Sequence, residues 1–213
     1  MAVLRAAADH AQKKTGHAAE QDCADVLKRR RAWFRSQMDL DPRKLIFVDE
    51  TGASTKMARL HGRCARGERL RMAVPHGHWH TTTFIGAFRL SDMTAPLVLD
   101  GPMTGEWFAA WAAHVLAPTL KRGDIVILDN LPAHKSATAR AAIEARGAQL
   151  RFLLPYSPDF NPIEMAFSKL KALLQKAAAR TPDALRRAIG EAIDRFTPRE
   201  CRNYFAAAGY DAF

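Results

Sequence analysis

Cysteine is scarce in this chain: three residues in 213, at positions 23, 64 and 201. An odd number at wide spacing builds neither a disulfide framework nor a cysteine-based zinc knuckle, and it points to a reducing compartment. Long apolar runs are missing as well. No stretch is long enough to span a bilayer, and the opening MAVLRAAADHAQKK lacks the apolar core of a secretory signal. These absences predict a cytoplasmic protein with no membrane partner. Internal repeats and low-complexity tracts are also lacking, which excludes solenoids and biased disordered arrays. Acid is in short supply: 22 Asp and Glu face 32 Lys and Arg, for a net charge of +10 and a pI near 9.9. That imbalance points to a polyanionic partner, most often nucleic acid.

What is present is enough apolar side chain, 48% of residues, to bury a core of one domain with a small appendage. Residues 1 to 40 are rich in alanine and charge and read as one or two helices. They carry Lys28, Arg29, Arg30 and Arg31, with Arg35 just after, a run whose ordinary meaning is a solvated helix face. DLDPRK at 39 to 44 reads as a linker, and a main domain is expected over 41–213. Strand patterns follow in KLIFVDE, RLRMAVPHG, HWHTTTFIGAFRL and APLVLDG, with a His-Gly turn between the second and third. GEWFAAWAAHVLAPTL predicts an amphipathic helix, GDIVILDN a buried strand, SATARAAIEARG a helix stopped by Gly147, and AQLRFLLP a last strand. Helices fill the chain from Pro162 onward. This order predicts an α/β fold, a mixed sheet with helices packed against it.

Two buried-strand runs end in aspartate, Asp49 after LIFV and Asp129 after IVIL. Ligands of α/β sheets gather at the carboxyl ends of strands. An aspartate at a strand end also makes turns or caps helices, and that reading stays open for each. The third acid lies in PYSPDFNPIE, residues 155 to 164. Pro155 and Pro158 predict a stiff, extended loop, and Asn161-Pro162 reads as an N-cap with proline at the first helical position. Glu164 then falls at the third helical position, where a capping box with Asn161 is the local alternative. Three acids on three elements make a donor set for a hard divalent cation, and Mg²⁺ is commonly held by carboxylates together with substrate phosphates. A pair of such ions stabilises both the attacking and the leaving oxygen in phosphoryl transfer.

VDET at 48 to 51, LDNLPAH at 128 to 134 and LPYSPDFNPIE at 154 to 164 resemble the three catalytic blocks of bacterial insertion-sequence transposases of the mariner-like superfamily. Between Asp129 and Glu164 lie 34 residues (positions 130 to 163), the interval typical of that superfamily. The resemblance implies a ribonuclease-H-like, five-stranded mixed sheet flanked by helices. It implies that Asp49, Asp129 and Glu164 are the catalytic acids and the ligands of Mg²⁺, for which Mn²⁺ substitutes. It further implies strand cleavage and strand transfer at transposon ends, a TA target, double-stranded DNA as partner and a homodimer assembled on that DNA. A bacterial cytoplasm, with association to the nucleoid when DNA is bound, follows from the same likeness. The chain departs from the family in having Leu154-Pro155 where two prolines are common. It also has no room in residues 1 to 40 for paired helix-turn-helix modules, so a truncated chain or one half of an element read in two frames is expected. A non-catalytic, DNA-binding or dimerising remnant that inhibits full-length transposase is the rival reading.

Around the acids, Asn130 and His134 are candidates for supporting Asp129 or touching DNA, against the plainer reading of a turn and a helix-start histidine. Glu50 is a candidate for orienting the site or for facing solvent. Residues 56 to 72 carry Lys56, Arg59, Arg63, Arg66, Arg69 and Arg71 against Glu68 alone. That density predicts a track for the DNA backbone, with a solvated hairpin as the alternative. His76, His78 and His80 alternate and would share a strand face, but Gly77 interrupts them and no neighbouring ligand completes a metal site.

Overall fold

The computed structural model describes residues 19–59, 62–71 and 78–210. Helix α1 (Ala24–Gln37) leads into strand β1 (Leu45–Ser54), then β2 (Thr81–Phe88) and β3 (Met93–Asp100). Helix α2 (Gly105–Trp111) continues as a π-helical turn over Ala112–Leu116, and β4 (Ile125–Leu128), α3 (Ala137–Glu144) and β5 (Gln149–Phe152) follow. Helices α4 (Pro162–Ala177), α5 (Pro182–Ile193) and α6 (Pro198–Ala207) close the chain.

The strands form one mixed sheet in the order β3-β2-β1-β4-β5. The consecutive strands β1, β2 and β3 pair antiparallel, while β4 and β5 join through helical crossovers and pair parallel. The central strand β1 shows how the core is laid out. Leu45 and Phe47 point to one face, where Ile163, Phe167, Leu170 and Leu174 of α4 and Phe205 of α6 cover them. Ile46 and Val48 point to the other, against Phe108 and Trp111 of α2 and Ile143 of α3. All four β1 residues are fully buried, as an alternating chain covered on both faces requires. The same alternation sends Asp49 to the α4 face and Glu50 to the α2 and α3 face.

The α/β, ribonuclease-H-like expectation is met, with three corrections. RLRMAVPHG is not a strand over Arg69–Arg71, which are exposed and irregular, and residues 72–77 lie outside those described. Arginine-dense chain has little apolar surface to offer a sheet face. His76 also lies outside the described residues. Second, the proline-rich loop is not extended throughout: Tyr156 is left-handed at φ 56° and Pro158–Phe160 is a 3-10 turn. Third, Arg30 does not point to solvent but binds that loop. Of the predicted N-terminal helices α1 is present, while residues 1–18 lie outside those described.

Leu170 is fully buried against the sheet whereas Leu173 is only partly covered. Leu170→Ala should cost about 2–5 kcal/mol of stability and Leu173→Ala clearly less, measured by urea unfolding. Equal losses would mean that α4 does not pack as described.

Candidate active site

β1 and β4 run parallel with Phe47 beside Ile127, so continuing both strands by two residues sets Asp49 beside Asp129. Both acids thus leave the same sheet edge on the α4 face. Glu164 arrives from that face in the first turn of α4. All three line one cavity of about 330 Å³, together with Asn130, Leu131, Tyr156 and Asn161. A larger cavity, of about 470 Å³, is lined by Arg43, Arg89, Lys121 and Arg202 near the opposite ends of β1 and β4. Its Arg89 is already spent on Asp124 at 3.1 Å, and none of the acids or basic residues expected from the sequence lies there.

The capping box of Asn161 and Glu164, the local alternative read from the sequence, does not form. Asn161 instead donates from Nδ2 to Asp49 Oδ2 at 3.1 Å, and its Oδ1 is buried without a hydrogen bond. The comparable Thr197–Glu200 start of α6 does make a full capping box, so the departure belongs to this site. The Glu164 carboxylate is left without a hydrogen bond or ion pair among the described residues. The loop before it is fastened from α1: Arg30 binds Asp159 at 2.6 and 3.0 Å, Ser157 Oγ at 2.8 Å and the Tyr156 carbonyl at 3.2 Å. Asn130 holds the start of the loop by donating to the Leu153 carbonyl.

His134 sits between two acids in complete burial, stacked beside Phe108 at 4.5 Å. Nδ1 lies 2.5 Å from Asp129 Oδ1 and Nε2 lies 2.8 Å from Glu50 Oε1. Burial opposes its charge, but the hydrogen bonds and charges of both carboxylates push the imidazole up to about 9. It is therefore an imidazolium near neutrality and donates to both. Burial likewise works to raise Asp129, yet the bonds from His134 and the Leu131 N–H hold it below the usual carboxylate range. Asp49 has no such cation. Burial, then the charges of Glu164, Asp129 and Glu50, push it up to about 7 against the favourable bond from the Glu50 N–H.

These features fit a hard divalent cation. The donors are carboxylate oxygens, the charge on Asp49 is uncompensated, and one Asn161 oxygen is buried without a donor. Among the described residues no three His, Cys, Asp or Glu side chains are placed closely enough to hold a metal ion as they stand, so Asp49, Asp129 and Glu164 share a cavity without forming a ready-made ligand cluster. The acids line an open cavity, which leaves room for phosphate oxygens to complete a coordination shell.

The basic residues lie apart from this cavity. Arg59, Arg63, Arg66, Arg69 and Arg71 are exposed on the segment after β1, and Lys56 Nζ sits over the Trp79 ring at 4.1 Å. Arg180, after α4, anchors the start of that segment by donating to the Thr55 carbonyl at 3.1 Å. Sequence reasoning missed Arg30 and the true partner of Asn161, because each bond joins residues more than a hundred positions apart.

Residues 44–186 match the family model of the DDE superfamily endonucleases. No curated protein matches the chain. Among solved structures, the chain is similar to the Mos1 transposase paired-end complex with left transposon end, at TM-score 0.69 and 15% identity over 97% of this chain and 69% of that one. It is similar to the mariner Mos1 paired end complex with Mg at TM-score 0.67 and 15% identity, covering 93% of this chain and 65% of that one. The catalytic domain of Mos1 mariner transposase aligns at TM-score 0.62 and 13% identity, over 88% of this chain and 95% of that domain. At such identities the likeness speaks for the fold.

The raised Asp49 has a consequence for stability without metal. An acid whose folded pKa exceeds its unfolded value stabilises the fold while protonated, and that contribution is lost as pH rises through the folded pKa. For Asp49 the window runs from the ordinary carboxylate range to about 7, while raised His134 gives up its share only through about 9. In chelator, Asp49→Asn should therefore melt higher than wild type at about pH 8, with the gap closing towards about pH 4. Calorimetric melting across that range checks it; parallel curves would mean that Asp49 is not burdened by its neighbours.

Proposed function

The chain belongs to the DDE superfamily endonucleases, and we propose that it is the catalytic domain of a mariner-like DNA transposase from a bacterial insertion sequence. In this reading it cuts a DNA strand at a transposon end, leaving a 3′-hydroxyl, and joins that hydroxyl to a phosphate of the target. Its partners are the transposon ends and target duplex in the bacterial cytoplasm, bound by two copies of the chain. No helix among the described residues is long and apolar enough to cross a membrane.

The observation that carries this proposal is the meeting of three acids from β1, the end of β4 and the start of α4 around one cavity. Asp49, Asp129 and Glu164 would hold the divalent cations, Mg²⁺ or Mn²⁺. When bound, these supply charge stabilisation to a pentavalent phosphate and to the oxygens entering and leaving it. The rest of the work falls to the protein. Asn161 keeps Asp49 turned into the cavity, and His134 fixes Asp129 while balancing its charge and that of Glu50. Arg30 and Asn130 keep the loop that delivers Glu164 from drifting, since a site of this kind tolerates little play. Lys56, Arg59, Arg63, Arg66, Arg69 and Arg71 contact the DNA backbone and supply affinity without reading bases.

Asp49→Asn and Asp129→Asn should each lower Mg²⁺-dependent strand cleavage by at least about 10³-fold while leaving the circular dichroism spectrum unchanged, because a neutral amide is a poor ligand for a hard cation. Gel assays on labelled DNA would measure this. Cleavage by either variant at the wild-type rate would show that these acids serve the fold alone.

A further inference from the structure

Resting on that reading, we propose that Tyr156 is the base-binding residue of the site: its ring receives, by stacking, the base of the nucleotide whose phosphate is cut. Tyr156 is one of the few large apolar side chains left exposed, at 47%, and it lines the same cavity as Asp49, Asp129 and Glu164. Among the described residues its phenol makes no hydrogen bond and its ring pairs with no other aromatic ring.

The backbone shows that the ring is held out deliberately. Tyr156 is left-handed at φ 56°, a conformation that glycine adopts freely and a bulky side chain does not. The surroundings impose it. The Tyr156 carbonyl accepts from Gln21 Nε2 at 2.7 Å and from Arg30 Nη1 at 3.2 Å, and the next residue, Ser157, is buried and tied to Arg30. Strain kept in place by its neighbours, beside charged groups in a cavity, is a mark of function. A ring serving only to fill space would be buried, and a loop serving only to turn would do better with glycine.

A second apolar side chain lines the cavity with similar exposure. Leu131 is 49% exposed, lines the cavity, and is fixed by its own N–H bonding Asp129 Oδ1 at 3.0 Å. An aromatic face and an aliphatic side chain on rigid loops beside the acids offer an apolar slot for a nucleobase. Stacking of this kind is tolerant of sequence, because every base has a π-face. It would hold open a base pair at the cut end while the carboxylates hold the phosphate.

The test uses duplex DNA with a short unpaired 3′ end whose terminal base is 2-aminopurine, titrated in Ca²⁺ so that nothing is cut. Wild type, Tyr156→Phe and Tyr156→Trp should change the probe's fluorescence as a stacked base does. Tyr156→Gly removes the ring yet suits the left-handed backbone, so the loop keeps its shape. It should lose the signal and bind the unpaired end about ten-fold more weakly, with blunt duplex bound as before. Wild-type signal and affinity in Tyr156→Gly would overturn the stacking role. That result beside an inactive Asp49→Asn chain would leave the metal reading standing. An active Asp49→Asn chain would sink the metal reading, whereas loss of signal in Tyr156→Gly would still uphold stacking.

Discussion

Asp49, Glu50, Asp129 and Glu164 repel one another across the ends of two parallel strands, and the architecture around them is organised by that repulsion. Carboxylates leave water only where something offsets the loss of solvation. Half of the compensation is built in. His134, a buried cation between Asp129 and Glu50, ties the α2 side of the sheet to the acid at the end of β4. Asp49 receives only neutral donors, the Glu50 N–H and the Asn161 amide, and is left with its carboxyl pushed up to about 7. Glu164 has nothing. The deficit lies on the α4 face, inside the cavity, and it is the kind of deficit that divalent cations relieve.

Rigidity around the cavity follows from the same demand. Like charges brought together drift apart unless the backbone that carries them is fixed. Asp49 rides on the central strand of the sheet, and Asp129 leaves β4 through a turn closed by the Leu131 N–H. Glu164 lies after a loop, the weakest of the three positions. There the chain uses prolines at 155, 158 and 162, an arginine clamp from α1 and an asparagine bond to β5's exit. Helix α1 thereby becomes part of the site although it lies outside the sheet that defines the fold.

Much of this was legible in the sequence. LIFVD and IVILD announced buried strands ending in acid. The position of Glu164 in the first turn of α4 was readable from Asn161-Pro162. What the sequence hid was long-range and polar. The local pattern N-P-x-E describes a capping box, and only the approach of Asp49 from β1 explains why Asn161 turns away from its own helix. Arg30 sits in a basic helical run whose average member faces water, and its partner Asp159 is 129 positions away. The arginine-rich segment misled in the other direction. RLRMAVPHG read as a strand, but its charge offers a sheet little to bury, and the five-stranded sheet is complete without Arg69–Arg71.

The central claim is that the carboxylate deficit at this sheet edge is a place for divalent metal. Anomalous diffraction from crystals soaked in Mn²⁺ addresses it directly, since the scatterer identifies itself. The account predicts density between Asp49, Asp129 and Glu164, within direct coordination distance of carboxylate oxygens, with His134 still bridging Asp129 and Glu50. Saturating Mn²⁺ that leaves the cavity empty, or that binds while Glu164 points away from the other two acids, would contradict it.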